Sequence, residues 1–176
     1  MTEDIQIVFT DIDGVWTNGG MYYTAEGDVA RLFNTRDSGG VVLLRQAGIR
    51  ICVVSGEKSE AVAARMRKLS VTDVHLGVTN KAQIAASICK NLNLTLRQAA
   101  FIGDDLNDIQ LLRRVGLSAC PADAQYPINK TVSMKLTKRG GEGVFREFSE
   151  KLLEGLGILD STIEATLRVM GEIDER

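Results

Sequence analysis

The chain has 176 residues, enough to bury a sizeable core but short for two full domains, so one domain over residues 1–176 is expected. Its 21 basic and 23 acidic side chains nearly balance and form no long run of either sign, which excludes a nucleic-acid footprint or a basic membrane-binding face and leaves a small-molecule partner. No apolar run approaches the ~20 residues of a membrane-spanning helix, no leader pattern precedes the first strand-like segment, and three scattered cysteines, Cys52, Cys89 and Cys120, read as buried reduced thiols of a cytoplasmic protein.

The first apolar, β-branched run, residues 5–9, predicts a strand that leads directly into Asp11, Asp13 and Gly14. Residues 16–34 interrupt the pattern. There Asn18-Gly19-Gly20, Met21-Tyr22-Tyr23, Glu26-Gly27-Asp28 and Leu32-Phe33 predict an inserted β-hairpin. A helix is predicted over 38–46, then a strand over 49–54 that ends at Ser55-Gly56. A helix over 59–69, a strand over 71–75 and a helix over 81–92, opening on Lys81, follow. A strand over 99–102 runs into Gly103-Asp104-Asp105 and Asp108, and a helix over 106–115 and a strand over 116–119 come next. These repeated βα units predict an α/β fold: a three-layer α/β/α sandwich on a mainly parallel, Rossmann-like sheet, with no large cap domain. The glycine-rich stretch Lys138-Arg139-Gly140-Gly141-Glu142-Gly143 precedes a helix carrying Phe145, Phe148 and Leu152. In the tail, residues 157–176, Ile163, Leu167 and Met170 share one helical stripe, which is either a docked helix or a frayed end.

In an open parallel sheet the residues that follow the strands gather on one rim, where ligands bind. Asp11 and Asp13, Ser55, Lys81, and Asp104 with Asp108 all fall on that rim. The turn at Gly14 lets Asp13 come round beside Asp11, and adjacent carboxylates repel unless a divalent cation relieves them. A nucleophilic acid, a small hydroxyl, a cation and a second acidic cluster fit phosphoryl transfer, in which the protein positions reactants and offsets charge. Asp11 then attacks phosphorus, Asp13 protonates the leaving alkoxide and later takes a proton from water, and Ser55 and Lys81 hold phosphoryl oxygens. Mg²⁺ is expected on Asp11, Asp104 and the main-chain carbonyl of Asp13. Singly, each group has a plainer reading: Ser55 as a helix N-cap, Lys81 as an exposed first-turn lysine, Asp104, Asp105 and Asp108 as a capping cluster. A receiver domain uses similar groups, but its phosphorylated Asp stands on the third strand and its Lys comes last, an order this chain does not follow.

FTDIDGVWTNGG, VVSGE, Lys81 and FIGDDLND, in that order, resemble the four motifs of the haloacid dehalogenase superfamily over roughly residues 5–155. The early hairpin, FNTRDSGG and KRGGEGVFREF resemble its capless branch. That branch includes phosphatases of 3-deoxy-octulosonate 8-phosphate, in lipopolysaccharide synthesis, and of nonulosonate 9-phosphates, in sialic-acid-type synthesis. The resemblance implies the same catalytic and metal residues, Asp108 in support of the ligands, and a homotetramer whose hairpins pack together.

Glu57, Ala61, Arg65 and Lys68 follow a near-helical course beside Ser55, either as a solvated face or as the surface that meets a sugar acid. Ser55-Gly56-Glu57 with Arg65 and Lys68 resembles the nonulosonate 9-phosphate enzymes, whereas octulosonate enzymes tend to carry arginine where Glu57 stands. The expected substrate is therefore a nine-carbon sugar acid, with the eight-carbon acid as the alternative. Arg139 stands either in an ordinary glycine-rich link or within reach of a sugar carboxylate in an adjoining subunit. A reading of another class, an oligomerisation module like those fused to cytidylyltransferases, is opposed by the complete set Asp11, Asp13, Lys81 and Asp104.

Overall fold

Ile7, Val8 and Phe9 are apolar in succession because both faces of their strand are covered, the signature of a buried parallel sheet. The computed structural model describes residues 4–172, and in it this segment is β1 (Ile7–Thr10). A hairpin of β2 (Tyr22–Thr24) and β3 (Gly27–Ala30) follows, then β4 (Arg50–Ser55), β5 (Asp73–Leu76), β6 (Ala99–Ile102), β7 (Leu117–Cys120) and a two-residue β8 (Met134–Lys135). All but the hairpin form one parallel sheet in the order β5-β4-β1-β6-β7-β8, with Phe9 opposite Cys52 on one side and Phe101 on the other. Strand alternation divides the interior in two. Val8, Val53, Ala100 and Ile102 face a layer built by α1 (Arg36–Gln46), α2 (Glu60–Lys68), α6 (Val144–Gly155) and α7 (Leu159–Met170). Ile7, Phe9, Cys52, Val54 and Phe101 face α3 (Lys81–Asn91), α4 (Ile109–Leu112) and α5 (Ile128–Thr131). Each large apolar side chain so buried contributes about 1.5–3 kcal/mol.

The chain leaves β1 towards β4 and β5 and returns on the other side of β1 through β6. This reversal opens a crevice at the carboxyl ends of β1 and β6, the usual ligand position in such sheets.

The structure corrects the expected elements in four places. Trp16 and Thr17 are fully buried and do not begin the hairpin, because the Ile12 carbonyl accepts from the amides of Val15, Trp16 and Thr17 and winds the segment into a turn. Trp16 stacks on Phe145 at 4.3 Å between ring centroids. The helix expected over 106–115 is a 3-10 turn (Leu106–Asp108) and the short α4, since Asp108 turns inward instead of continuing a solvated helix face. β8 has no apolar run long enough to announce it. The tail is a docked helix, but its inner face carries Thr162, Ile163 and Thr166, and Met170 is exposed. Thr166 suits that buried face because its hydroxyl donates to the Thr162 carbonyl at 2.7 Å. Residues 173–176 of the expected tail lie outside the described residues.

Among the described residues no helix is long and apolar enough to cross a membrane, and Cys52, Cys89 and Cys120 are all free and buried. Among the described residues, the hairpin is all that stands between β1 and α1 as regular structure, and no large cap is present.

Candidate active site

β1 delivers Asp11 to the crevice in a fixed pose. The Asp11 amide donates to the Ile102 carbonyl at 3.0 Å, and its own carbonyl accepts the Thr10 hydroxyl at 2.7 Å. Trp16 Nε1 donates to that same hydroxyl oxygen at 2.9 Å, so the core tryptophan anchors the strand end. Lys81 opens α3, where Asn80 supplies the cap by accepting from the Gln83 amide. The Lys81 side chain is almost completely buried, with Nζ 2.7 Å from Asp11 Oδ2 and 2.6 Å from Asp108 Oδ1. It is therefore not the exposed first-turn lysine of the plainer reading. Ser55, the last residue of β4, is 2% exposed and accepts from the Glu57 amide at 3.3 Å. The cap of α2 is Ser59.

Asp11, Asp104 and Asp108 bring carboxylate oxygens within 4.8 Å of one another. Asp108 has both oxygens committed: Oδ1 accepts from Lys81, and Oδ2 accepts from the amides of Asp104 at 2.9 Å and Asp105 at 3.3 Å. Asp104 Oδ1 is buried with no partner. Burial, and then the neighbouring charge of Asp108, push the Asp11 carboxyl up to about 7 against the pull of Lys81. Burial and the charges of Asp11, Asp108 and Asp105 push Asp104 up to about 8. Although burial opposes its charge, Lys81 is held above the usual lysine value by Asp11 and Asp108. Two crowded carboxyls, one with an orphaned oxygen and all donors hard, fit a divalent cation such as Mg²⁺ between Asp11 and Asp104. Gly14, at φ +82°, keeps this arrangement open, because a Cβ there would lie 2.0 Å from Asp104 Oδ2.

A cleft of about 270 Å³ opens above these groups and is lined by Asp11, Asp13, Ser55, Glu57, Asp104 and Asn107, among others. Asp13 has come round at the Gly14 turn as expected. Its Oδ1 accepts from Arg31 Nε at 2.7 Å and from the Thr17 hydroxyl at 3.2 Å. Sequence reasoning missed Arg31, for which the available signal was a lone charge in the apolar run from Val29 to Phe33, just past the end of β3. It also missed Asn107, since FIGDDLND was read for its acids alone.

The residues expected to meet the sugar do not share one surface. Glu57 lies at the cleft but precedes α2, because Ser59 starts that helix two residues later. Arg65 donates to Ser38 Oγ at 2.9 Å and sits 5.8 Å over the Phe33 ring, and Lys68 is exposed at the far end of α2. Exposed Arg139 pairs with Asp123 at 3.4 Å. The glycines beside it approach their own chain: the Gly141 amide donates to the Val15 carbonyl at 2.9 Å, and a Cβ on Gly140 would lie 2.1 Å from the Gly14 carbonyl oxygen. Glu147, from α6, holds this loop by accepting from the amides of Thr137 and Lys138, both at 2.9 Å, and from the Thr137 hydroxyl at 2.8 Å. Burial works against its charge, yet these donors hold it below the ordinary glutamate value.

Residues 58–148 match the family model of the haloacid dehalogenase-like hydrolases. The 3-deoxy-D-manno-octulosonate 8-phosphate phosphatase of Haemophilus influenzae is 35% identical over 155 residues, which is 88% of this chain and 86% of that protein. Its counterpart from Escherichia coli K12 is 30% identical over 158 residues, 90% of this chain and 84% of that one. The cobalt-bound Haemophilus structure aligns with a TM-score of 0.85 at 34% identity, covering 90% of this chain and 92% of that one. The Moraxella catarrhalis enzyme, solved with magnesium, phosphate and KDO, aligns with a TM-score of 0.88 at 28% identity, covering 93% and 94%. The chain thus belongs to the haloacid dehalogenase-like hydrolases and is a capless phosphoric monoester hydrolase.

Proposed function

We propose that this chain removes the phosphate from a phosphorylated sugar acid by passing the phosphoryl group through Asp11. The observation that carries this reading is the buried Asp11–Lys81–Asp108 cluster, whose Asp11 lines a cleft that also receives Asp13 and Ser55. Asp11 attacks phosphorus as the ester P–O bond breaks, and Asp13 gives its proton to the departing alkoxide. Water then attacks the aspartyl-phosphate, Asp13 takes a proton from it, and the bond to Asp11 breaks to leave phosphate and a restored carboxylate. Ser55 and Lys81 hold phosphoryl oxygens throughout. Asp11, Asp104 and the Asp13 carbonyl would hold a Mg²⁺ ion, which supplies positive charge against those oxygens.

The relatives that act on octulosonate 8-phosphate support the eight-carbon acid as first candidate. Glu57 at the cleft keeps a nine-carbon nonulosonate 9-phosphate as the second candidate, because a carboxylate accepts a hydrogen bond from an amide N–H, which an octulosonate lacks. The test is kcat/KM on both sugar-acid phosphates, a hexose phosphate and an aryl phosphate. Either sugar acid should exceed the hexose phosphate by about tenfold or more, and Glu57→Ala should lower the sugar-acid value about ten- to a hundredfold while leaving the aryl phosphate nearly unaffected. An equal loss on both substrates, or none, removes Glu57 as a substrate contact.

The hairpin supports the homotetramer that the family resemblance implies. A two-stranded ribbon is marginal alone, and this one exposes Met21, Tyr22, Tyr23 and Val29, with Leu32 just beyond it. Sedimentation velocity at assay concentration should give a four-chain species, and a fully active stable monomer contradicts it.

A further inference from the structure

Arg31 is a buried cation that the phosphoryl centre leaves unused. The Arg31 side chain has no exposed surface, although it follows β3 in a hairpin whose neighbours Val29 and Leu32 are exposed. Its guanidinium lies between two acids: Nε meets Asp13 Oδ1 at 2.7 Å, Nη2 approaches Asp13 Oδ2 at 3.5 Å, and Nη1 pairs with Asp28. Asp28 Oδ2 is buried and has no partner. One cation serving two acids, with a carboxylate oxygen unsatisfied, is a poor way to stabilise a fold, since well-packed apolar residues do as well or better in such places. The same fork is well suited to fixing a carboxylate in one orientation. Its grip on Asp13 is uneven: Oδ1 takes two donors, from Arg31 and Thr17, while Oδ2 has only the long contact.

We propose that Arg31 is a positioning residue for the acid–base step: the hairpin carries it to Asp13, where it holds Oδ1 and leaves Oδ2 aimed into the cleft to carry the transferred proton. This rests on the reading of Asp13 as general acid. The proton on Oδ2 passes to the leaving alkoxide oxygen as that oxygen's bond to phosphorus breaks and the Asp11–phosphorus bond forms. A phenolate of low basicity departs without that proton, so the role shows as a dependence on the leaving group.

The experiment measures kcat/KM, which reports the first phosphoryl transfer, on p-nitrophenyl phosphate and on simple alkyl phosphates, for wild type, Arg31→Lys, Thr17→Val, Asp13→Asn and Arg31→Lys combined with Asp13→Asn. Arg31→Lys keeps the charge and loses the fork. It should lower the alkyl values at least about tenfold more than the aryl value, a part of the 10²–10⁴ that a general acid supplies. Thr17→Val removes the second donor to Oδ1 and should shift the same ratio in the same direction, which keeps the test open if Arg31→Lys folds poorly. In the Asp13→Asn background the Arg31 change should alter the alkyl values less than about twofold, because coupled residues are non-additive. Equal losses on alkyl and aryl esters for Arg31→Lys and Thr17→Val, beside a leaving-group-dependent Asp13→Asn, overturn the positioning role. A leaving-group-independent Asp13→Asn overturns the acid–base reading beneath it.

Discussion

Asp104 carries a buried oxygen with no partner, and its carboxyl stands near 8 where 3.8 is ordinary. Asp11 stands near 7, and Asp37, buried where it caps α6 through the Arg146 amide, stands near 6, for burial above all. Between about pH 4 and those values the folded metal-free protein keeps protons that the unfolded chain has released, so its stability falls as pH rises through the window. On the proposed assignment, Mg²⁺ would compete with the protons on Asp11 and Asp104 and remove their repulsion. The melting temperature gained on adding Mg²⁺ should therefore be larger at pH 8 than at pH 5.5, and Asp104→Asn should abolish most of the gain. Thermal melts with Mg²⁺ or a chelator across that range check this, and a gain independent of pH contradicts it. The acids were legible in the sequence because motif position and charge coincide. Arg31 and Glu147 were not, since each acts on a partner that only the folded chain brings near.

At the scale of elements, the turn after β1 that carries Asp11 and Asp13 is buttressed by the glycine-rich loop before α6. Gly140 does not have a positive φ, so its lack of a side chain answers to space: the nearest atom a Cβ would meet is the Gly14 carbonyl oxygen, which cannot swing aside. Gly140→Ala should cost about 1–3 kcal/mol as an overpacked contact and lower the melting temperature by about 2–4 °C per kcal/mol. It should also lower kcat, because Gly14 packs against Asp104. Gly48 is a comparison site with positive φ and nothing within 4 Å of a Cβ, so Gly48→Ala reports backbone strain alone. If Gly140→Ala loses no more activity than Gly48→Ala, the buttress does not act on the site. The buried strands were readable because their apolar runs are short and bounded by turn residues. The extent of α2 was readable as well, since the helix expected over 59–69 is Glu60–Lys68 between its caps Ser59 and Leu69; that of α4 was not, because the inward turn of Asp108 decides it.

For the whole molecule, the chain order of strands and helices was enough to gather Asp11, Ser55, Lys81 and Asp104 on one rim, since a parallel sheet puts every strand end there. The face that meets the sugar was less legible: helical spacing grouped Glu57 with Arg65 and Lys68, and the fold sends Arg65 to Ser38 and Phe33 instead. Phosphoryl transfer through Asp11 depends on the first of these arrangements and not on the second. The most direct measurement is phosphate release from 3-deoxy-D-manno-octulosonate 8-phosphate and a nonulosonate 9-phosphate, with saturating Mg²⁺, by wild type and by Asp11→Asn of matched secondary structure. Wild type should turn over at least one of the two, and Asp11→Asn should release none above background, because an amide is not a nucleophile. Release by Asp11→Asn at more than a small fraction of the wild-type rate, or failure of the wild type on both, contradicts phosphoryl transfer from a sugar acid through Asp11.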